Sequence, residues 1–272
     1  GLDCACGSAC MIAKSMFDAL GARTYTVGTD PDGLNINRGV GSTHPEALCA
    51  LVKENRLDMG FAFDGDADRC IAVDENGSVV NGDHILYILA TLLRSGGELA
   101  KDTVVTTVMS NSGLYRAFDE MGIYYAQTTV GDRYVYENMR QNGYSLGGEQ
   151  SGHIILRKYA TTGDGLLTAI MLTERVVESE APLSALAAPV TLFPQTTVNL
   201  PVTDKAAVLR HPDVERALAD CNRRLGNGGR VLLRASGTEP VIRVMVEAES
   251  QAACTELCES IVHVIRAKGH AV

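Results

Sequence analysis

The sequence predicts an α/β protein: two consecutive α/β domains, followed by a smaller α+β domain at the C-terminus. Through the first two thirds of the chain, short apolar or β-branched runs alternate with apolar residues at helical spacing. After a proline-containing stretch at 181–194 the pattern changes to longer strands that precede helices. The 272 residues are 46% apolar and 21% charged and include 27 glycines, which is typical of a globular α/β chain.

Two polar stretches predict the domain boundaries. Residues 95–102 contain adjacent glycines, and residues 181–194 contain three prolines. We therefore expect domains at 1–94, 95–188 and 189–272.

In the first domain, apolar residues from Met11 to Leu20 recur at helical spacing, and Gly21 is a natural stop. A strand at Thr24–Val27 and a second helix over 42–54 follow. Ser42 or Thr43 is the expected cap of that helix. Ser42 and His44 are close enough to suggest a nucleophile and its base, but such pairs depend on geometry in space. A helix start is the favoured interpretation.

The rest of the chain continues the alternation. The first domain ends with a strand at 61–63, paired strands at 70–74 and 79–80, and a helix at 84–93. For the second we predict strands at 103–109, 124–126 and 154–156, with helices ending at Met121, following Arg133 and spanning 166–178. For the third we predict strands at 196–201, 230–234 and 241–248 and helices at 214–225 and 252–268.

The most informative stretch is Phe61–Arg69, where an apolar run ends in Asp64, Asp66 and Asp68. If the chain turns at Gly65, the three carboxylates face a common point and repel one another unless a cation lies between them. Hard oxygen ligands suit Mg²⁺, and Arg69 adds a planar cation for a phosphate. A calcium loop is excluded because its glycine would follow the third ligand. An acidic turn without a ligand is the alternative.

Two further loops carry polar groups between glycines. The loop at 147–153 offers Glu149, Ser151 and His153, which suit sugar hydroxyls and proton transfer near neutral pH. A tight turn with a half-buried histidine is the alternative for this loop.

The third loop runs from Arg234 to Arg243, and the two arginines flank Ser236, Gly237 and Thr238. Hydroxyls, backbone amides and guanidinium groups in such a turn form an anion site. A hairpin with incidental arginines is the alternative. The sequence lacks a Walker motif, which disfavours a nucleotide triphosphatase. A metal site, a hydroxyl-binding loop and an anion turn together indicate a phosphosugar undergoing phosphoryl transfer.

Bulk properties exclude other classes of protein. The net charge of −9 argues against nucleic-acid or anionic membrane partners. No apolar run is long enough to span a bilayer. Eight cysteines follow no zinc spacing, so we expect reduced thiols and a cytoplasmic protein.

The three loops resemble, in order and spacing, the metal, sugar and phosphate loops of the α-D-phosphohexomutase superfamily. Three secondary motifs, at 34–46, 130–135 and 161–165, resemble those of its bacterial members that interconvert glucosamine 6-phosphate and glucosamine 1-phosphate. The resemblance covers essentially the whole chain.

This resemblance implies two phosphohexomutase-type α/β domains and an isomerase that acts through a phosphoserine and a bisphosphate intermediate. Such an enzyme feeds UDP-N-acetylglucosamine and peptidoglycan synthesis. The resemblance implies one Mg²⁺ on Asp64, Asp66 and Asp68. The implied roles of the remaining residues are catalysis for Arg69 and His153 and substrate binding for Asp132, Arg133, Glu149, Ser151, Arg234, Ser236, Gly237, Thr238 and Arg243.

The family's serine segment has no counterpart in these residues, and Ser42 belongs to a different motif. Since Gly1–Cys4 resembles the end of a strand already in progress, we expect a fragment without the N-terminal phosphoserine domain. Such a chain would be inactive alone and would bind Mg²⁺ weakly. The alternatives are a phosphomannomutase or phosphoglucomutase of the same fold, or a non-catalytic sugar-phosphate-binding module. Chain association is left open, and a homodimer is one arrangement it allows.

Overall fold

The computed structural model describes residues 1–226, 228–237 and 239–268. They form two compact units. The first contains residues 1–110 and 114–191, and the second contains residues 111–113 and the described residues from 192 onward. The predicted division into three domains stays a prediction.

The first sheet has the strand order β2-β1-β3-β4-β5. Its strands are β1 (Leu2–Asp3), β2 (Thr26–Val27), β3 (Met59–Phe63), β4 (Cys70–Asp74) and β5 (Val79–Val80). β1 pairs in parallel with β2 and β3, whereas β3, β4 and β5 are antiparallel to one another. The predicted pairing of residues 70–74 with 79–80 is therefore confirmed.

Three helices accompany this sheet: α1 (Ala13–Ala19), α2 (Glu46–Asn55) and α3 (Gly82–Ser95). The first begins later than predicted, because Ser8–Met11 forms a 3-10 turn. Met11 is 83% exposed, so this end of the apolar pattern is not core. The expected cap at Ser42 or Thr43 is wrong. The residue before α2 is Pro45, and no side chain caps that helix.

α3 is the central helix of the first unit and packs against α6 and α7, whose bounds are given below. Nine of its residues are buried, including Ile85, Leu86, Ile88 and Leu89. The Asn81 side chain accepts from the backbone of Asp83 and His84, which completes a capping box.

The second sheet has the order β7-β6-β8-β9. Its strands are β6 (Thr103–Thr107), β7 (Tyr124–Thr128), β8 (Leu146–Gly148) and β9 (Ile154–Leu156). β6 is parallel to β7 and β8, and β9 returns antiparallel to β8. The helices in this part of the chain are α4 (Ser112–Met121), α5 (Asp132–Asn142), α6 (Gly165–Ser179) and the unpredicted α7 (Leu183–Ala187). Of these, α6 packs against β3 and β4 of the first sheet.

The second unit has an antiparallel sheet of order β10-β12-β11, formed by β10 (Gln195–Pro201), β11 (Gly229–Ala235) and β12 (Val241–Ala248). Its helices are the unpredicted α8 (Lys205–Leu209), α9 (Pro212–Leu225) and α10 (Gln251–Ala267). Its core forms where buried residues of α10 pack on β12, as with Ile261 and Val244. The predicted fold class, α/β followed by α+β, is confirmed.

Candidate functional site

The aspartate loop, residues 64–69, connects β3 to β4 in a hairpin. The apolar strand β3 is buried as far as its last residue, Phe63, and the next residue, Asp64, is half-buried. Carboxylate oxygens of Asp64, Asp66 and Asp68 lie within 4.8 Å of one another, as predicted from their spacing. The chain turns at Gly65, as predicted, and Ala67 two residues later is left-handed (φ 61°). Gly65 also makes room for Ile36, whose Cγ2 would lie 2.7 Å from an added Cβ.

Asp64 is the most buried of the three carboxylates, with 13% of its side chain exposed. Burial raises its pKa above the ordinary 3.8, and the charges of Asp68 and Asp66 raise it further. Arg69 acts in the opposite direction, since its backbone N–H donates to Asp64 Oδ1 (3.2 Å) and its Nε lies 3.5 Å from Oδ2. Converging oxygen donors with one adjacent cation fit a hard divalent ion such as Mg²⁺.

His153 lies against this loop, and only 3% of it is exposed. Its Nε2 accepts from the Gly163 backbone N–H (2.9 Å), so the ring proton is on Nδ1. Nδ1 then faces Asp68 Oδ2 at 3.2 Å and donates to it. Asp132 Oδ2 is 3.9 Å from Nε2. The structure thus brings the predicted histidine onto a predicted metal ligand.

Backbone contacts join the two loops. Arg69 and His153 form an isolated antiparallel bridge, and Cys70 N donates to Gly152 O at 3.0 Å. A third segment also contacts the aspartate loop, since Gly165 N at the start of α6 donates to Ala67 O at 2.9 Å. Because hairpin connections of two sheets are paired in this way, the positions of their side chains depend on one another.

The remaining residues of the 147–153 loop are more accessible. Glu149 is half-buried, and its Oε1 accepts from Gly131 N at 2.9 Å, which ties the loop to the start of α5. Ser151 and Asp132 are exposed. Arg133 pairs with Glu137 at 2.9 Å, and its side chain is 80% exposed.

The predicted anion turn connects β11 to β12 in the second unit. Arg234 and Arg243 are direct cross-strand neighbours in this hairpin. Burial lowers the pKa of Arg234, and the charge of Arg243 lowers it further. Arg243 also pairs with Glu239 at 3.0 Å. Two cations held side by side favour a bound anion, because an anion offsets their repulsion.

Inside the turn, Ser236 is 4% exposed, and its Oγ accepts from Glu239 N at 3.2 Å. An added Cβ at Gly237 would meet no atom within 4 Å, so its backbone is open to a ligand. Thr238, also predicted to bind phosphate, lies outside the described residues.

Sequence reasoning assigned no role to the glycines that bring the first two loops together. Gly163 and Gly165 belong to the motif 161–165, and an added Cβ on either would lie 2.4–2.6 Å from its nearest neighbour. The density of glycines in that motif was the available signal. That signal did not indicate which loops, those of His153 and Arg69, these glycines contact.

The fold and the three loops define the chain as an α/β protein of the phosphohexomutase class. Family models for phosphoglucomutase/phosphomannomutase match it three times: alpha/beta/alpha domain II at 1–77, alpha/beta/alpha domain III at 81–193 and the C-terminal domain at 198–264. The chain therefore belongs to the phosphoglucomutase/phosphomannomutase family.

Similar curated proteins include a phosphoglucosamine mutase of Lachnospira eligens, 54% identical over 272 residues, and one of Bacillus subtilis, 52% identical over 267 residues. These matches cover 100% and 98% of this chain and 60% of each relative. The chain thus spans about 60% of the length of the curated relatives it matches.

Similar solved structures include a phosphoglucomutase/phosphomannomutase family protein of Burkholderia thailandensis, with a TM-score of 0.80 and 27% identity, covering 100% of this chain and 61% of that one. An N-acetylphosphoglucosamine mutase of Aspergillus fumigatus, in complex with GlcNAc-6P and magnesium, has a TM-score of 0.78 at 20% identity, covering 98% and 61%. The latter likeness concerns the fold alone. Within the described residues, no helix combines the length and apolar character needed to cross a bilayer.

Proposed function

We propose that this chain is the part of a phosphoglucosamine mutase that holds the metal, the sugar and the phosphate. The whole enzyme would interconvert glucosamine 6-phosphate and glucosamine 1-phosphate through a phosphoserine and a bisphosphate intermediate. The observation that carries the proposal is the 54% identity to a phosphoglucosamine mutase across the entire chain, with all three loops present. The cytoplasm is the proposed location.

In this proposal, Asp64, Asp66 and Asp68 hold one Mg²⁺. When bound, the ion supplies positive charge that stabilises a transferring phosphoryl group. Arg69 adds a permanent cation beside the same carboxylates, at 3.5 Å from Asp64.

His153 was predicted to handle a proton, and that role stays a prediction. Its buried ring and its contacts with Asp68 and Gly163 favour a positioning role. By donating from Nδ1, the ring fixes the direction of the Asp68 carboxylate, as outer partners of metal ligands commonly do.

The sugar hydroxyls are assigned to Glu149 and Ser151, with Asp132 and Arg133 shaping substrate choice. Glu149 uses one oxygen for Gly131 and retains the other for a hydroxyl. The non-reacting phosphate is assigned to Arg234, Ser236, Gly237, Thr238 and Arg243. Bidentate donation by arginine suits that group.

Calorimetric titration of the chain with glucosamine 6-phosphate, then glucose 6-phosphate and mannose 6-phosphate, with and without Mg²⁺, tests the substrate class. Binding with an amino-sugar preference is expected. Equal or reversed preference would favour the phosphoglucomutase or phosphomannomutase alternative. Unchanged binding after Asp66→Asn and Arg243→Ala would refute the loop assignments.

Turnover distinguishes an enzyme from a binding module. We would place before residue 1 the segment of the Bacillus subtilis relative that this chain does not match. Interconversion of the two glucosamine phosphates by this chimera is expected, and Asp66→Asn in the chimera is expected to abolish it. A folded chimera that binds substrate without turnover would support the non-catalytic alternative.

A further inference from the structure

Lys205 contacts both ends of the anion turn. Its Nζ donates to the backbone oxygen of Ser236 at 2.8 Å and to that of Glu239 at 3.2 Å. Lys205 is the first residue of α8, 31 positions before Ser236. The half-buried ammonium therefore spans the turn that the two arginines flank.

These contacts orient the backbone of the turn. A lysine that binds the two carbonyl groups holds both oxygens on its own side of the turn. The turn is also fixed by Ser236 N donating to Val241 O and by Val202 N donating to Pro240 O, both at 3.0 Å. Lys205 thus adds two contacts to a loop that is otherwise held near its base.

The charge of Lys205 is not neutralised locally. Across the described parts of the chain, no carboxylate forms an ion pair with its ammonium, and both of its hydrogen bonds go to neutral carbonyls. With Arg234 and Arg243, the turn carries three cations against the single carboxylate of Glu239. An ammonium has three donors, and two are used here, so one N–H remains for an anion oxygen.

We propose that Lys205 is the third cation of the anion site, where it positions the backbone of Ser236 and Glu239 and strengthens the binding of a phosphate group. This inference rests on the assignment of that turn as the phosphate site in the proposed function. The expected ligand is a phosphate or phosphomonoester dianion, because excess positive charge favours the more highly charged form.

The test is a titration of ¹⁵N-labelled chain with inorganic phosphate at constant ionic strength, followed through the amide signals of Ser236 and Gly237. Four proteins are compared: the unchanged chain, Lys205→Met, Lys205→Arg and Lys101→Met. Lys101 is a matched control, since its Nζ also donates to a backbone carbonyl (Asn142 O, 2.7 Å) but lies in the first unit. Thermal unfolding establishes that each variant is folded.

For Lys205→Met we expect phosphate Kd to rise about tenfold, the loss of one charge-assisted contact at a partly exposed site. Lys205→Arg keeps the charge and should remain within about threefold of the unchanged chain. Lys101→Met should not change Kd.

Phosphate binding by Lys205→Met with unchanged Kd would overturn the proposal while leaving the anion site intact. An equal loss in Lys205→Met and Lys205→Arg would also overturn it, because the charge would then be irrelevant. If the unchanged chain binds no phosphate, the assignment of the turn in the proposed function fails, and the role of Lys205 fails with it.

Discussion

Gly152 offers the sharpest test of how the 64–69 and 147–153 loops are held together. It has φ +92°, and an added Cβ would lie 2.3 Å from the backbone oxygen of Cys70. Its own oxygen accepts from Cys70 N at 3.0 Å. In Gly152→Ala the new Cβ would meet a backbone oxygen, so rotation of a side chain cannot relieve the overlap. The two loops must separate.

Gly143 provides the matched control. It also has positive φ (+77°), but an added Cβ there would meet no atom within 4 Å. Gly143→Ala should cost about 1 kcal/mol of unfolding free energy, which is the backbone strain alone. Gly152→Ala adds overlap of about 1 Å with a carbonyl oxygen, so we expect a total of about 3–5 kcal/mol.

Urea denaturation followed by circular dichroism measures both variants, and calorimetry measures Mg²⁺ binding to the folded protein. Gly152→Ala should also weaken Mg²⁺ binding, whereas Gly143→Ala should leave it unchanged. Equal unfolding free energies for the two variants would refute the claim that close backbone packing fixes these loops.

Three further predictions concern single side chains and their contacts. Since the pKa of Asp64 is raised, the folded metal-free chain binds that proton more tightly than the unfolded chain, and stability falls as pH rises through the interval between the two pKa values. Asp64→Asn should therefore stabilise the metal-free chain by about 1 kcal/mol at pH 7 and abolish the rise in Tm on adding Mg²⁺. A loss of stability would contradict this prediction. The control is Asp30→Asn, at an exposed aspartate. Gly163→Ala would place Cβ 2.6 Å from His153 Nε2. It should lower the free energy of unfolding, measured by urea denaturation, by about 2–3 kcal/mol and should weaken Mg²⁺ binding. Unchanged Mg²⁺ binding would argue against a positioning role for His153. Glu247 is fully buried, and its Oε1 lies 3.3 Å from Arg230 Nε. Glu247→Gln removes the charge that faces this guanidinium and should destabilise the second unit by about 2–4 kcal/mol, detectable as earlier loss of hydrogen-exchange protection in β12. Wild-type protection would refute this.

Local patterns were sufficient for most elements of the fold. Residues 70–74 and 79–80 pair around their turn as predicted, and β12 has the predicted bounds, because hairpins and long apolar strands depend on neighbours in sequence. The short helices α7 and α8 were missed, since five residues give too little periodicity. The cap at Ser42 or Thr43 was wrong because the chain pairs Ser42 N with Phe63 O and enters the helix after Pro45.

By itself, the sequence determined that three carboxylates converge, because alternate positions after a strand come together within one local hairpin. Only the tertiary structure showed that Nδ1 of His153 faces Asp68, that Gly152 packs on Cys70 and that Lys205 spans the anion turn. These contacts join residues 31 to 85 positions apart. They depend on how sheets and loops pack, and a single sequence does not specify such long-range partners through its local periodicity.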